Sequence, residues 1–149
     1  MLKKSLAALA VASFVMPLQA AKIKDVTLKQ VGRYATGVFD DGAAEIVAYD
    51  PATARLFVIN ASANTVDILD LSDPSDPSLW GVIDVTVLET VDNDIEIGEV
   101  GGVNGVAVSK NGLVGVAVEN DDKQATGWAA FFDVDGTYLN HVEAGSLPD

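Results

Sequence analysis

The chain has 149 residues, 9 Lys plus Arg against 22 Asp plus Glu, a formal net charge of −13 and 49% hydrophobic residues. The apolar content excludes a disordered acidic tail, and the charge excludes nucleic acid or an anionic membrane surface as default partners, because both require a basic patch. With no cysteine, disulfide frameworks, zinc ribbons and thiol catalysis are excluded as well, and the length suits about one domain.

Residues 1–21 read as a secretory signal. Lys3 and Lys4 supply the positive start, Leu6 to Met16 is an uncharged apolar run, and Pro17 and Ala20 close it. The run is shorter than the ~20 residues a membrane span needs. No cysteine follows it, so a lipoprotein anchor is excluded. The expected location is periplasmic, extracellular or cell-surface, with no transmembrane segment left after cleavage.

Residues 22–41 form an N-terminal segment in which Thr27 to Tyr34 alternates as a strand. Four short apolar runs follow: Glu45–Tyr49, Arg55–Asn60, Thr65–Leu71 and Leu79–Val85. Asp50-Pro51, Asn60 to Asn64 and Asp73-Pro74-Ser75-Asp76-Pro77 separate them as turns. The pattern returns as Gly101–Ser109, Leu113–Glu119, Trp128–Asp133 and Tyr138–Val142, with hairpin signals at Lys110-Asn111-Gly112 and Asp135-Gly136. Residues 42–85 and 101–144 each span 44 residues. Between them, residues 86–100 carry five acids and no base and read as an exposed acidic insertion without an amphipathic helix. Residues 145–149 read as the opening of a third unit.

A four-stranded repeat of this length predicts an all-β fold of propeller blades, two blades and the start of a third. The competing reading is one eight-stranded β-sandwich. Two blades cannot close a ring of 4–8, so the chain reads as the front part of a longer protein, with Thr27–Tyr34 placed to close the ring.

Aligning the units puts Glu45, Asn104 and Asp149 at one blade position, near the start of the innermost strand. There they would point to one mouth of an axial channel, and their oxygens suit a hard cation such as Ca²⁺. The plainer reading makes them solvated strand-start residues. Asp133-Val134-Asp135-Gly136 lacks the remaining ligands of a calcium loop and reads as a hairpin turn. Glu89, Asp92, Asp94, Glu96 and Glu99 read as a solvated loop. His141, alone of its type, reads as a rim residue, and Trp80 and Trp128 as packing between blades. Asp67, Asp70 and Asp133 read as turn anchors accepting backbone N–H groups. No Gly-x-Ser-x-Gly elbow and no phosphate-binding glycine loop is present.

The run from Tyr34 to Asp50, with Leu56–Asn60, Val66–Pro74, Gly102–Val108, Ala117–Glu119, Asp122–Gln124, Phe131–Asp133 and Leu147–Asp149, resembles the choice-of-anchor I family and, more widely, YVTN and lactonase-type propeller repeats. The resemblance covers Val31 to Asp149. It implies an exported or surface-displayed propeller of about seven blades acting as a binding or scaffold module. Its partners would be a ligand or surface partner at the channel mouth and the remaining blades of the same protein. Some relatives carry phosphatase-like labels, so the alternative is a metal-dependent hydrolase of lactonase or phosphoesterase type, with bound water as nucleophile.

Overall fold

The computed structural model describes residues 27–38 and 44–149. The segment read as a secretory signal, residues 1–21, lies outside these residues. Two antiparallel sheets carry the fold. The first contains β1 (Val47–Asp50), β2 (Arg55–Asn60), β3 (Thr65–Asp70) and β4 (Ser78–Asp84), ordered as in the chain. The second contains β5 (Val100–Val108), β6 (Val114–Asn120), β7 (Trp128–Phe132) and β8 (Tyr138–Glu143), again in chain order. Each sheet is drawn wholly from one half of the described chain, so the halves do not interleave.

Hairpin chemistry fixes the registers. Asn64, Gly112 and Gly136 take positive φ at the β2–β3, β5–β6 and β7–β8 turns, as does Ala54 at the β1–β2 turn. Asn and Gly tolerate that region at little cost. The turn carboxylates behave as expected at two of three positions. Asp70 accepts from the Ser72 N–H at 2.8 Å, and Asp133 accepts from the N–H groups of Asp135 and Thr137 at 2.9 and 2.8 Å. Asp67 anchors no turn. It lies mid-strand, paired with Val58 and Val82.

Period-two alternation sends one set of side chains from each sheet into a shared core. The first sheet contributes Phe57, Ile59, Val66, Ile68 and Ile83; the second contributes Val103, Val114, Val116, Val118, Trp128, Ala130 and Phe132. The side chains of Phe57 and Phe132, fully buried, are each worth about 1.5–3 kcal/mol of transfer free energy. β5 lies against both β1 and β2, so the opening strands of the two sheets are neighbours.

Arg55 adds a polar tie across the stack. Its guanidinium donates to the Val134 carbonyl at 2.8 Å, pairs with Asp135 and lies 4.1 Å over the Trp80 ring. Trp128 packs between the sheets as expected. Trp80 does not: it sits at a β-bulge in β4, half exposed.

Residues 27–34 have no ladder partner among the described residues, and the segment meets the Pro74–Pro77 turn at Gly32; the last blade it was expected to close is not among these residues. One other expectation changes. The insertion is not simply an exposed loop. A 3-10 turn (Val85–Val87) runs into the one-turn helix α1 (Leu88–Val91). Val85, Leu88 and Ile95 are buried in the shared core; of the acids between them Asp94 is exposed, while Glu89 and Asp92 are half-buried, Glu89 accepting from the Gly98 and Val100 N–H groups. Those three apolar side chains dock the insertion, and its high charge concealed them. No helix among the described residues is long and apolar enough to cross a membrane.

Candidate functional site

The strongest candidate lies at a bulge in the middle of β5. The β5–β6 register slips between Val103 and Gly105, pairing them with Val118 and Ala117, so Asn104 is the extra residue of a bulge. A bulge re-aims the side chain it carries. Here the Asn104 amide donates to the Glu119 carboxylate at 3.1 Å and to the Pro148 carbonyl at 3.2 Å. Glu119 also accepts from the Lys123 ammonium and the Gly102 N–H. A Cβ at Gly102 would stand 3.0 Å from a Glu119 oxygen, so glycine is what lets the carboxylate reach the backbone. Glu119 is 8% exposed. The Lys123 bond, opposed by burial and aided by Asn104, holds its pKa below the usual carboxylate range.

Alternation along Val114-Gly115-Val116-Ala117-Val118-Glu119 places Glu119 on the strand side of Gly115 and Ala117, away from the first sheet. On that side lies a cavity of about 500 Å³, lined by Ile46, Gly105, Val106, Ala107, Gly115, Val116, Ala117, Ala129, Ala144, Pro148 and Asp149. Its walls are aliphatic, with one carboxylate, Asp149.

The three sequence-derived ligands therefore part company. Asn104 and Asp149 are brought together: Asn104 holds the Pro148 carbonyl, and Asp149 lies against Gly105. Glu45 is exposed. Its N–H donates to the Ile59 carbonyl at 3.2 Å, and only its neighbour Ile46 reaches the cavity. Among the described residues no three His, Asp or Glu side chains gather as a metal would require. The donor set at this end is one amide oxygen, one carboxylate and a backbone carbonyl. Glu119 is the member that sequence reasoning missed. The signal was present: Glu119 and Asn120 break an apolar alternation with two consecutive buried polar residues.

A second recess, about 310 Å³, joins the insertion to the second sheet. His141 is not a free rim residue; its side chain is 13% exposed. Its Nε2 lies 3.2 Å from the Asp92 carboxylate, and its Nδ1 2.8 Å from the Tyr138 hydroxyl. Because a carboxylate only accepts, Nε2 donates to Asp92; in the neutral imidazole Nδ1 then accepts from the Tyr138 hydroxyl. Burial, and then the Asp92 charge, push the Tyr138 phenol up. Asp94, Glu99 and Glu143 also line this recess.

Comparison with known families gives one match. The family model of the choice-of-anchor I domain covers residues 45–149. No curated protein and no solved structure matches the chain.

Proposed function

The chain belongs to the choice-of-anchor I family, and from that premise we propose that it is an exported or cell-surface binding module whose two sheets are neighbouring blades of a β-propeller. Three features support the blade reading: equal 44-residue units, two sequential meanders, and opening strands that lie side by side. Family membership supports the surface location.

The single observation that carries the binding role is the aliphatic cavity that ends at the Asp149 carboxylate, next to the Pro148 carbonyl to which Asn104 donates. Small side chains leave the room, and the bulge orients the amide. A ligand there would bury apolar surface and meet a carboxylate, which suits an aliphatic group bearing a cation. Ca²⁺ at the same end is part of the proposal, held by the Asn104 amide oxygen and the Asp149 carboxylate, with Glu45 as an outlying donor. The hydrolase alternative, in which a bound metal activates water, would need more ligands than the single carboxylate, Asp149, that the cavity lining supplies.

The test is a pair of ¹⁵N–¹H NMR titrations, one with CaCl₂ and one with hexylamine. Shifts gathered at residues 102–106, 116–119 and 144–149, and lost for hexylamine in Ala117→Phe, support the reading. Shifts spread over the surface, or unchanged by that substitution, contradict it.

A further inference from the structure

The chain holds two Asn-Gly pairs, Asn104-Gly105 and Asn111-Gly112. Such a pair has a reactivity of its own. The main-chain nitrogen after an asparagine can attack the side-chain amide carbon. Glycine in that place leaves the approach clear, because it has no Cβ and turns freely. The structure puts the two pairs in opposite circumstances.

Asn104 is protected. It is half-buried, and its amide nitrogen, the group that would have to leave as ammonia, donates to the Glu119 carboxylate at 3.1 Å and the Pro148 carbonyl at 3.2 Å. Gly105 is paired with Ala117 in the β5–β6 ladder. Swinging the Asn104 amide towards the Gly105 nitrogen breaks both bonds.

Asn111 is exposed, in the turn between β5 and β6. Among the described residues its side chain has no hydrogen-bond partner; only its backbone N–H is held, by Ser109. Gly112 has φ +77°, and its N–H donates to the Ser109 carbonyl at 3.0 Å. The Ser109 hydroxyl accepts from the N–H groups of Asn111 at 3.3 Å and Leu113 at 3.0 Å, one on each side of the Gly112 nitrogen. That nitrogen can attack only when the turn opens, and exposed turns open locally at low free energy.

We propose that Asn111 is a site of spontaneous deamidation and that the Ser109 hydroxyl is the brake on it. The Gly112 main-chain nitrogen gives its proton to water and bonds to the Asn111 Cγ. The Cγ–Nδ2 bond breaks, and the nitrogen leaves as ammonia with a proton from water, leaving a cyclic succinimide. Water then opens the ring at either carbonyl. One opening gives aspartate; the other gives isoaspartate, whose main chain runs through the side-chain carbon and is one methylene longer. One water enters and one ammonia leaves, with no change of oxidation state. Isoaspartate also lengthens the link between Val108 and Val114, the ladder pair beside the turn, of which Val114 is fully buried. The modification therefore loosens the end of the β5–β6 hairpin remote from Asn104.

The experiment incubates the full chain in mildly alkaline buffer and follows both asparagines by peptide mass spectrometry. The readouts are the mass gain of an amide becoming an acid and the chromatographic separation of isoaspartate. In the folded chain Asn111 is expected to convert at least tenfold faster than Asn104. In guanidinium, where neither amide is held, the two rates should come within about threefold. Ser109→Ala should speed conversion of Asn111 by about three- to tenfold, the effect of two lost hydrogen bonds on turn opening, and leave Asn104 unchanged. Ser109→Thr, which keeps the hydroxyl, should stay near the native rate. Equal rates at the two asparagines of the folded chain, or an Asn111 that stays intact until the chain is unfolded, overturns the site. A Ser109→Ala rate equal to native overturns the brake, as does an equal acceleration at Asn104, which would report global unfolding instead.

Discussion

Asn104 and Glu119 face each other across the β5–β6 pair, the amide of one donating to the carboxylate of the other at 3.1 Å. The contact fastens the bulge in β5 to the end of β6 and, through the Pro148 carbonyl, to the closing residues of the chain. Pro148 is one of the residues lining the cavity, so the contact anchors part of its wall.

Asn104→Ala leaves Glu119 with Lys123 and the Gly102 N–H but removes the donor that fixes the bulge. A loss of about 1.5–3 kcal/mol is expected, the range for a hydrogen bond to a charged group. Denaturant unfolding checks it. Asn104→Asp should cost more at pH 7, because two carboxylates would meet where an amide now separates them. Part of that excess should return as the pH falls and one of the pair takes up a proton.

The acid limb of stability should be dominated by a small group of carboxylates. The Thr53 hydroxyl bond lowers the pKa of Asp50, the Ser72 N–H that of Asp70, the Ser75 hydroxyl that of Asp73, and the Lys123 bond that of Glu119. Burial raises Asp133, but N–H bonds from Thr137, Asp135 and Gly136 outweigh it, so it too is lowered. A lowered folded pKa contributes stability above the unfolded value near 4 and loses it as pH falls through the folded value. Asp67 has the opposite sign. Burial raises its pKa, so its penalty is complete above the folded value and fades as the pH drops. Thermal unfolding from pH 8 to pH 3 should show Asp67→Asn more stable than native at neutral pH, with the gap closing towards pH 3. A gap that widens in acid would contradict the assignment.

Arg55→Lys should destabilise the stack by about 1–2 kcal/mol although charge is kept. Lysine has no planar fork to serve the Val134 carbonyl and Asp135 together, and it stacks less well on Trp80. Chemical denaturation checks this, and Trp fluorescence reports the loosened Trp80.

The strand pattern was legible in the sequence because alternation and turn residues act locally. Asn64, Gly112 and Gly136 mark hairpins that form where expected, and all eight strands fall within about two residues of the apolar runs. What the sequence hid was set by contacts distant in the chain. The bulge that aims Asn104 depends on a one-residue slip against Val118 and Ala117. The burial of Leu88 and Ile95 depends on a core assembled from both sheets. Thr27–Tyr34 alternates like a strand and has no ladder partner among the described residues. Glu45, Asn104 and Asp149 shared a repeat position, but position within a repeat did not supply contact: Glu45 stays apart from the other two.

Gly136→Ala should be more damaging than a surface glycine substitution. Gly136 has φ +85°, and a Cβ there would meet the Ile68 Cδ1 at 3.0 Å and the Ile83 Cγ1 at 3.3 Å. Backbone strain of about 1–2 kcal/mol adds to overpacking of about 1–3 kcal/mol. Gly145→Ala, with open space around it, serves as the control in the same melt.

That closeness of Gly136 to Ile68 also gives the most direct test of the face-to-face pairing of the two sheets. In a methyl-labelled sample, a strong nuclear Overhauser contact between the Ile68 δ1 methyl and the Gly136 α protons is expected. If that contact is missing while the cross-strand contacts within each sheet are present, the two sheets do not pack as described.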